Sequence, residues 1–119
     1  MVAAVGSGFL VLVAATGAIA GEAMRLTLTS PSFAPNAAIP EKHTCKGSEI
    51  SPALSWSGVP LGCKSLALIV DDPDAPDPSA PQRTWVHWVV YDIPPDANSI
   101  VEGASRSGLP RGALAGRND

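Results

Sequence analysis

The sequence lacks any cluster of basic residues. Its 119 residues carry 8 Lys and Arg against 11 Asp and Glu, which gives a formal net charge of −3 at pH 7. Proteins that bind nucleic acid or an anionic membrane surface concentrate Lys and Arg on one face or along one segment. The charge balance therefore argues against both kinds of surface, and we expect no nucleic-acid partner.

Cysteine is also scarce, since the chain has only Cys45 and Cys63. Two cysteines are too few for a disulfide-stapled scaffold. Without a C-x-x-C pair, the zinc-ribbon and thioredoxin-type classes are excluded as well. Two interpretations stay open: one disulfide in an exported protein, or two small buried thiols.

Proline and glycine are frequent, whereas Phe and Tyr are few. The chain has 12 Pro and 11 Gly but only 2 Phe and 1 Tyr. Because Pro cannot donate a backbone hydrogen bond and Gly weakens helices, long helices are excluded from most of the chain. The length supports one domain at most, and the Trp, Val, Ile and Leu that recur between Leu26 and Tyr91 indicate a folded body.

The chain begins with an apolar leader that contains no Lys or Arg. Ala18 and Ala20 form the A-x-A pattern of a signal-peptidase site, but the usual basic start of a signal peptide is missing. A signal peptide, a membrane anchor and a false extension before Met24 all stay open. Residues 1–23 are therefore left out of the predicted domain, which is residues 24–119. We expect a periplasmic or secreted protein if the leader is a signal peptide, and a cytoplasmic one otherwise.

Four segments have the composition and periodicity of β-strands. Short apolar runs rich in Val, Ile, Leu and Trp, bounded by Pro and Gly, are typical of strands. The predicted strands are Leu26–Thr29, Ala53–Ser57, Ser65–Asp71 and Trp85–Tyr91. The sequence therefore predicts a mainly β fold.

The fourth strand has apolar residues on both faces. Period 2 places Trp85, His87, Val89 and Tyr91 on one face and Val86, Trp88 and Val90 on the other. We therefore expect a central strand that is covered on both sides.

Two segments are predicted to be irregular. Four prolines within Asp72–Thr84 indicate a rigid loop without a strand ladder. The segment Asp96–Asp119 has few bulky apolar residues, so we expect it to add little to the core.

A run of carboxylates follows the third predicted strand. The run consists of Asp71, Asp72, Asp74 and Asp77. Such charges repel one another unless water or partner groups stabilise them. One interpretation is a water-facing loop. The other is a ligand site, because Pro73 fixes the relative direction of Asp72 and Asp74, and a stiff loop loses little entropy on binding.

The rigid loop leads to His87, which lies three residues into the next strand, about 10 Å along it. Contact with Asp72 is therefore within reach, although a lone histidine on an apolar face is more often a core residue. If the two meet, the imidazole N–H suits phosphate oxygens, the carboxylates suit an ammonium group, and Trp85 supplies an apolar wall. The predicted ligand-binding residues are Asp72, His87, Asp74 and Trp85.

Motifs of known enzyme classes are missing. The chain contains no G-x-S-x-G, no H-E-x-x-H and no G-x-x-x-x-G-K-[ST]. We therefore expect no catalytic residues and no cofactor. A metal site of Asp72, Asp74 and His87, which would suit a metal-assisted hydrolase, is a weaker alternative because its spacing fits no recognised pattern.

A series of short motifs runs through the chain. They are L-T-S-P-S-F at Leu28–Phe33, I-P at Ile39–Pro40, T-C-K-G at Thr44–Gly47, S-P-A-L-S-W-S-G-V-P at Ser51–Pro60, S-L-A-L-I-V at Ser65–Val70, D-D-P-D-A-P at Asp71–Pro76, T-W-V-H-W at Thr84–Trp88 and Y-D-I-P-P at Tyr91–Pro95. In these motifs and their order, the sequence resembles the phosphatidylethanolamine-binding protein family, especially its prokaryotic Raf-kinase-inhibitor-like branch. The resemblance runs from about Met24 to Asp119.

The resemblance implies a Greek-key fold with a central antiparallel β-sheet and a small anion-accepting pocket. In the family this pocket is lined by the Asp that opens D-P-D and by the His after the Trp, here Asp72 and His87. Asp74 and Trp85 lie in the matching motifs. Family members bind phosphate-bearing head groups and related anions, which implies a small anionic or phospholipid head-group ligand. Some inhibit kinases or proteases, which is the alternative function and would add a protein partner.

The family pattern continues beyond the last residue of this chain. Past the position of Asp119, members carry a Gly/Pro-rich stretch and a G-x-H-R-type motif that close the pocket. We therefore expect a fragment or a truncated gene product, with an exposed strand edge that favours unfolding or self-association.

Overall fold

The protein is mainly β, as the sequence predicts. The computed structural model describes residues 9–15 and 25–119. In these ranges the chain forms seven strands and one short 3-10 helix, Glu41–His43. The strands are β1 (Phe9–Ala15), β2 (Thr27–Thr29), β3 (Leu54–Ser57), β4 (Ser65–Ala75), β5 (Arg83–Ile93), β6 (Ser99–Ile100) and β7 (Leu114–Ala115). Within the same ranges, no helix has the length and hydropathy that a membrane span requires.

Two antiparallel sheets share one hydrophobic core. The larger sheet has the order β1-β4-β5-β7 and the smaller has the order β2-β3-β6. Both sheets contribute side chains to the cluster of buried residues. The largest fully buried side chains are Leu54, Leu66, Leu68, Val90, Ile93 and Ile100. Burial of each such side chain contributes about 1.5–3 kcal/mol, so this cluster dominates the stability of the fold.

Strand β3 shows how alternation builds this core. Leu54 and Trp56 are buried, whereas Ser55 and Ser57 are exposed, which is the period of a strand covered on one face. Trp56 Nε1 donates a hydrogen bond to the carbonyl oxygen of Ala97 at 2.8 Å. The buried indole N–H is therefore satisfied, and it ties β3 to the loop before β6.

The β4–β5 hairpin is longer than predicted. A rigid loop over Asp72–Thr84 was expected, but β4 continues to Ala75 and β5 begins at Arg83, where the two residues are Cα partners. The register is irregular between Asp72 and Ala75. Pro73 is tolerated there because an irregular ladder does not require an N–H at each position. The prediction was therefore wrong about where pairing stops.

The turn of this hairpin is held by the side chain of Asp77. The backbone N–H and the hydroxyl of Ser79 both donate to Asp77 Oδ1, at 2.8 and 2.7 Å. The backbone bond, followed by the hydroxyl bond, holds the pKa of the Asp77 carboxyl below its ordinary value. The carboxylate therefore has a local structural role in the turn.

Strand β5 is central in its hydrogen bonding but covered on only one face. It lies between β4 and β7 in the larger sheet. Val90 is fully buried on the core face, whereas Trp85, His87 and Tyr91 are exposed on the other. The prediction of two covered faces was wrong, because the smaller sheet packs against only one side of the larger one.

Part of the apolar leader pairs with the larger sheet. Strand β1 runs antiparallel to β4, with Phe9 opposite Asp71 and Ala15 opposite Ser65. The predicted domain began at Met24, so this pairing was not expected. The alternatives for the leader depend also on residues 1–8 and 16–24, which lie outside the described residues.

The segment after β5 contributes to the core, contrary to the prediction. Ile100 and Ala104 are 2% and 1% exposed, and Leu109 packs against the same cluster. Strand β6 pairs with β3, which places Ile100 opposite Leu54. A segment poor in apolar residues can still complete a core when pairing directs its few apolar side chains inward.

The two cysteines are free thiols with different environments. Cys45 is exposed and Cys63 is buried. Cys63 Sγ donates to the carbonyl oxygen of Ser65 at 3.2 Å, just before β4. The interpretation of a buried thiol therefore holds for Cys63 alone, and no disulfide joins the pair.

Ile100 and Val101 are adjacent, yet they should differ in their effect on stability. Ile100 is 2% exposed and Val101 is 58% exposed. We expect Ile100→Ala to lower the free energy of unfolding by about 2–5 kcal/mol, because it leaves a cavity between the sheets. Urea denaturation monitored by tryptophan fluorescence measures the change. Val101→Ala is the matched control and should stay within about 0.5 kcal/mol of wild type; equal losses for both variants would contradict the assigned core.

The lowered pKa of Asp77 predicts a pH dependence. Because its folded pKa lies below the unfolded one, the two bonds from Ser79 stabilise the fold above the unfolded pKa, and this contribution is lost as pH falls through the folded pKa. Ser79→Ala removes the hydroxyl donor and keeps the N–H, so the Asp77 pKa should rise part of the way towards its ordinary value. An NMR titration of the side-chain carboxyl carbons measures it. Ser105→Ala is the control. If the Asp77 pKa rises in Ser105→Ala but not in Ser79→Ala, the assigned cause is refuted.

Candidate functional site

A register shift in the β4–β5 ladder decides which aspartate reaches His87. The register shifts by one residue between Val70 and Asp71, so that Asp72 becomes the Cα partner of Trp85. Without this shift, Asp71 would lie opposite His87. Because successive side chains of a strand point to opposite faces, a slip of one residue exchanges the faces that neighbouring residues occupy. The shift therefore places Asp72 on the face of Trp85.

Both oxygens of the Asp72 carboxylate face a defined partner. Oδ1 accepts a hydrogen bond from the backbone N–H of Asp74 at 2.9 Å, across Pro73. Oδ2 lies 3.7 Å from His87 Nε2. The fixed φ of Pro73 and the bond from Asp74 hold the carboxylate in one orientation. The prediction that the side chains of Asp72 and His87 lie close together is therefore confirmed.

The Asp72–His87 pair is open to solvent and is not closed by a direct hydrogen bond. A separation of 3.7 Å exceeds the range of a good N–H···O bond. The side chains of His87 and Asp72 are 52% and 32% exposed. Such a pair contributes at most about 1 kcal/mol to stability. Both groups therefore keep hydrogen-bonding capacity for a third group.

Trp85 lies beside this pair, and its ring contacts both His87 and the guanidinium of Arg83. The rings of Trp85 and His87 are stacked, with centroids 6.5 Å apart and planes inclined by 29°. The guanidinium carbon of Arg83 lies 4.1 Å from the centroid of the Trp85 ring. Residues 83, 85 and 87 share one face because they alternate along β5. Trp85 therefore lies beside His87 on the same face, and Arg83 joins the same row.

Asp74 takes part through its backbone rather than through its carboxylate. Its N–H orients Asp72, and no hydrogen bond or ion pair of its side chain is found among residues 25–119. The contact across Pro73 is therefore a bond from the backbone N–H of Asp74 to the Asp72 carboxylate, and ligand binding by the Asp74 carboxylate stays a prediction. A turn of this kind uses the side chain of the first residue and the N–H of the third.

Sequence reasoning missed Arg83 and Asn118, and it did not anticipate the buried oxygen of Asp71, which it placed in the run of carboxylates. Arg83 lies on Trp85, as described above. Asn118 Nδ2 donates to the carbonyl oxygen of His87 at 2.8 Å, from the segment that runs beside β5. Within the described part of the chain, Asp71 Oδ1 is buried and has no hydrogen-bond partner. A signal for Arg83 existed, since it precedes Trp85 and His87 at alternate positions. None existed for Asn118, whose approach depends on long-range pairing.

The outer face of the larger sheet presents the side chains of Asp72, Trp85 and His87 to solvent. Among the residues that the structure describes, no group of three His, Cys, Asp or Glu side chains is arranged to hold a metal ion. A shallow, open depression of about 430 Å³ lies nearby and is lined by Ile69, Val86, Val89, Arg117, Asn118 and Asp119. It includes neither Asp72 nor His87, so the pair itself lies on the open sheet face.

Comparison with known proteins identifies the family. The family profile described as phosphatidylethanolamine-binding protein matches residues 29–119. A UPF0098 protein of Methanothermobacter thermautotrophicus is 46% identical over 95 residues, which are 79% of this chain and 60% of that protein. A UPF0098 protein of Chlamydia trachomatis is 46% identical over 79 residues, 66% of this chain and 53% of that protein. The chain thus spans between 53% and 60% of the length of these two relatives.

Solved structures agree with the sequence comparison. Escherichia coli YbcL, described as a member of the mammalian PEBP family, superposes with a TM-score of 0.69 at 37% identity, over 79% of this chain and 60% of that one. A Chlamydia trachomatis homologue of phosphatidylethanolamine-binding proteins gives a TM-score of 0.67 at 38% identity, over 81% of this chain and 60% of that one. Sequence and fold together show that the chain belongs to the phosphatidylethanolamine-binding protein family.

Proposed function

We propose that the protein binds small phosphate-bearing or other anionic ligands through Asp72 and His87, without turnover. Trp85 lines the bound ligand, and the N–H of Asp74 holds Asp72 in place. The observation that carries the proposal is the distance of 3.7 Å between Asp72 Oδ2 and His87 Nε2 on an exposed face. Family membership supports the class of ligand, since the family is named for binding a phosphate-containing head group.

The chemistry of the pair suits a zwitterionic head group. An imidazole N–H donates to a phosphate oxygen, and a carboxylate accepts from an ammonium group. Phosphorylethanolamine carries both groups, so it can satisfy His87 and Asp72 together. The gap between the two side chains leaves their hydrogen-bonding groups available to such a ligand.

Preorganisation supports binding at this position. Asp72 is fixed by the N–H of Asp74. His87 lies between Val86 and Trp88, which both pair with β4, and its carbonyl oxygen accepts a hydrogen bond from Asn118. A group that is already held in its bound orientation loses little conformational entropy when a ligand arrives. Sites carried by paired strands also hold their geometry better than sites on free loops.

An NMR titration tests the proposal directly. Phosphorylethanolamine added to the ¹⁵N-labelled protein should shift the His87 ring signals in a saturable manner. Asp72→Asn keeps the size and the turn acceptor but removes the negative charge, so it should weaken binding by about tenfold. Asp77→Asn is the matched control, because Asp77 contacts Ser79 in the hairpin turn. An unchanged His87 spectrum in folded wild-type protein would refute the proposal.

The same sample separates binding from the two alternative functions. Elemental analysis for divalent metal and an assay with p-nitrophenyl phosphate test the metal-assisted hydrolase. We expect no stoichiometric metal and no turnover, and finding both would replace the proposal. A kinase or protease inhibitor acts by contact with a protein partner. The proposed function needs no such partner, so we expect phosphorylethanolamine to bind to the purified protein alone.

A further inference from the structure

The carboxylates around the candidate site would repel an anionic ligand, and Asp72 and His87 alone do not compensate for that repulsion. Four carboxylates lie within Asp71–Asp77, at the same end of the hairpin. A phosphate anion beside several carboxylates is repelled unless a positive charge compensates for them. Between Lys64 and Arg106, the sequence contains a single Lys or Arg, which is Arg83. Arg83 is therefore the one permanent positive charge of this stretch. Arg117 also lies beside β5, next to the Asn118 that contacts His87, but only Arg83 contacts the ring of Trp85 among the described residues.

Arg83 is held where a ligand of His87 can reach it. Its guanidinium lies on the Trp85 ring at 4.1 Å, and the same ring stacks with His87 at 6.5 Å. A guanidinium that stacks through its face keeps its N–H groups free at its edge. Within residues 25–119, no carboxylate forms an ion pair with Arg83, whereas Lys42 pairs with Glu102 at 2.7 Å. The donors of Arg83 are thus oriented and unused.

We infer that Arg83 is the specificity-determining residue of this site and selects phosphomonoester dianions. Arg83 and His87 both lie against the indole ring of Trp85, and in this proposal one phosphate beside that ring accepts hydrogen bonds from both. Asp72 takes the ammonium end of the ligand. This inference rests on the proposed function and deepens it, because it names the charge state of the phosphate that the site prefers.

The preference for a dianion follows from the planar guanidinium of Arg83, which can donate two parallel hydrogen bonds. A phosphomonoester carries close to two negative charges at pH 7.5, whereas a phosphodiester carries one. Two parallel N–H groups of a guanidinium match two phosphate oxygens, and charge-assisted bonds of this kind are about twice as strong as neutral ones. Each added charge on the ligand also increases its attraction to a permanent cation more than to a titratable imidazole.

Binding isotherms measured by calorimetry at pH 7.5 test the inference with two probes. Phosphorylethanolamine is the monoester, and glycerophosphoethanolamine is the diester with the same amine. Wild type should bind the monoester about tenfold more tightly, and Arg83→Gln should lose about tenfold of that affinity and erase the preference. Arg83→Lys keeps the charge without the planar fork, so its affinity should fall between the two. An amide NMR spectrum confirms the fold of each variant.

Arg111→Gln is the matched control for the loss of one positive charge. Arg111 is exposed in the turn before β7, outside the row of Arg83, Trp85 and His87. The affinity of the Arg111→Gln variant for phosphorylethanolamine should stay within about twofold of that of wild type. If wild type binds and both Arg83 variants match it, the role of Arg83 is refuted while the proposed function stands. If wild type binds neither probe, both the inference and the proposed function fail.

Discussion

The register shift in the β4–β5 ladder is the constraint on which the candidate site depends. In a regular ladder every side chain of one strand has a fixed partner on the other, so Asp71 would lie opposite His87. One extra residue on the β5 side of the ladder instead makes Asp72 the partner of Trp85. The displaced Asp71 has a buried carboxylate oxygen without a hydrogen bond among the described residues. The bulge therefore gives two adjacent aspartates different environments: Asp71 has a buried carboxylate oxygen, and Asp72 faces His87 in a pair that is open to solvent.

The asymmetry of the larger sheet explains why the face that carries Trp85 and His87 stays accessible. Its inner face packs against the smaller sheet, where Leu54, Leu68 and Val90 are at most 1% exposed. Its outer face carries the row of Trp85 and His87 in the open. Packing on one face fixes the strands, and the fixed strands position the exposed side chains on the other. The stability of the core and the geometry of the site are therefore consequences of the same pairing.

Family membership settles the fold but not the ligand. The same architecture supports many functions, and recognition has to be argued from particular side chains. An acid-rich hairpin end disfavours anions, while His87 and Arg83, joined by the Trp85 ring, supply donors beside it. The balance between these charges, rather than the shape of an enclosed pocket, would govern which small ions bind on this open face.

The sequence determined the secondary structure class and the positions of β2, β3 and the centres of β4 and β5. These follow from local periodicity, which is a property of neighbouring residues. Tertiary structure alone decided the bulge, the continuation of β4 past Pro73, the burial of Ile100 and the approach of Asn118 to His87. Each of these depends on how strands and segments pair with one another, which the local pattern of one strand does not specify. Periodicity carries no record of register, because the same alternation fits every shift by two residues.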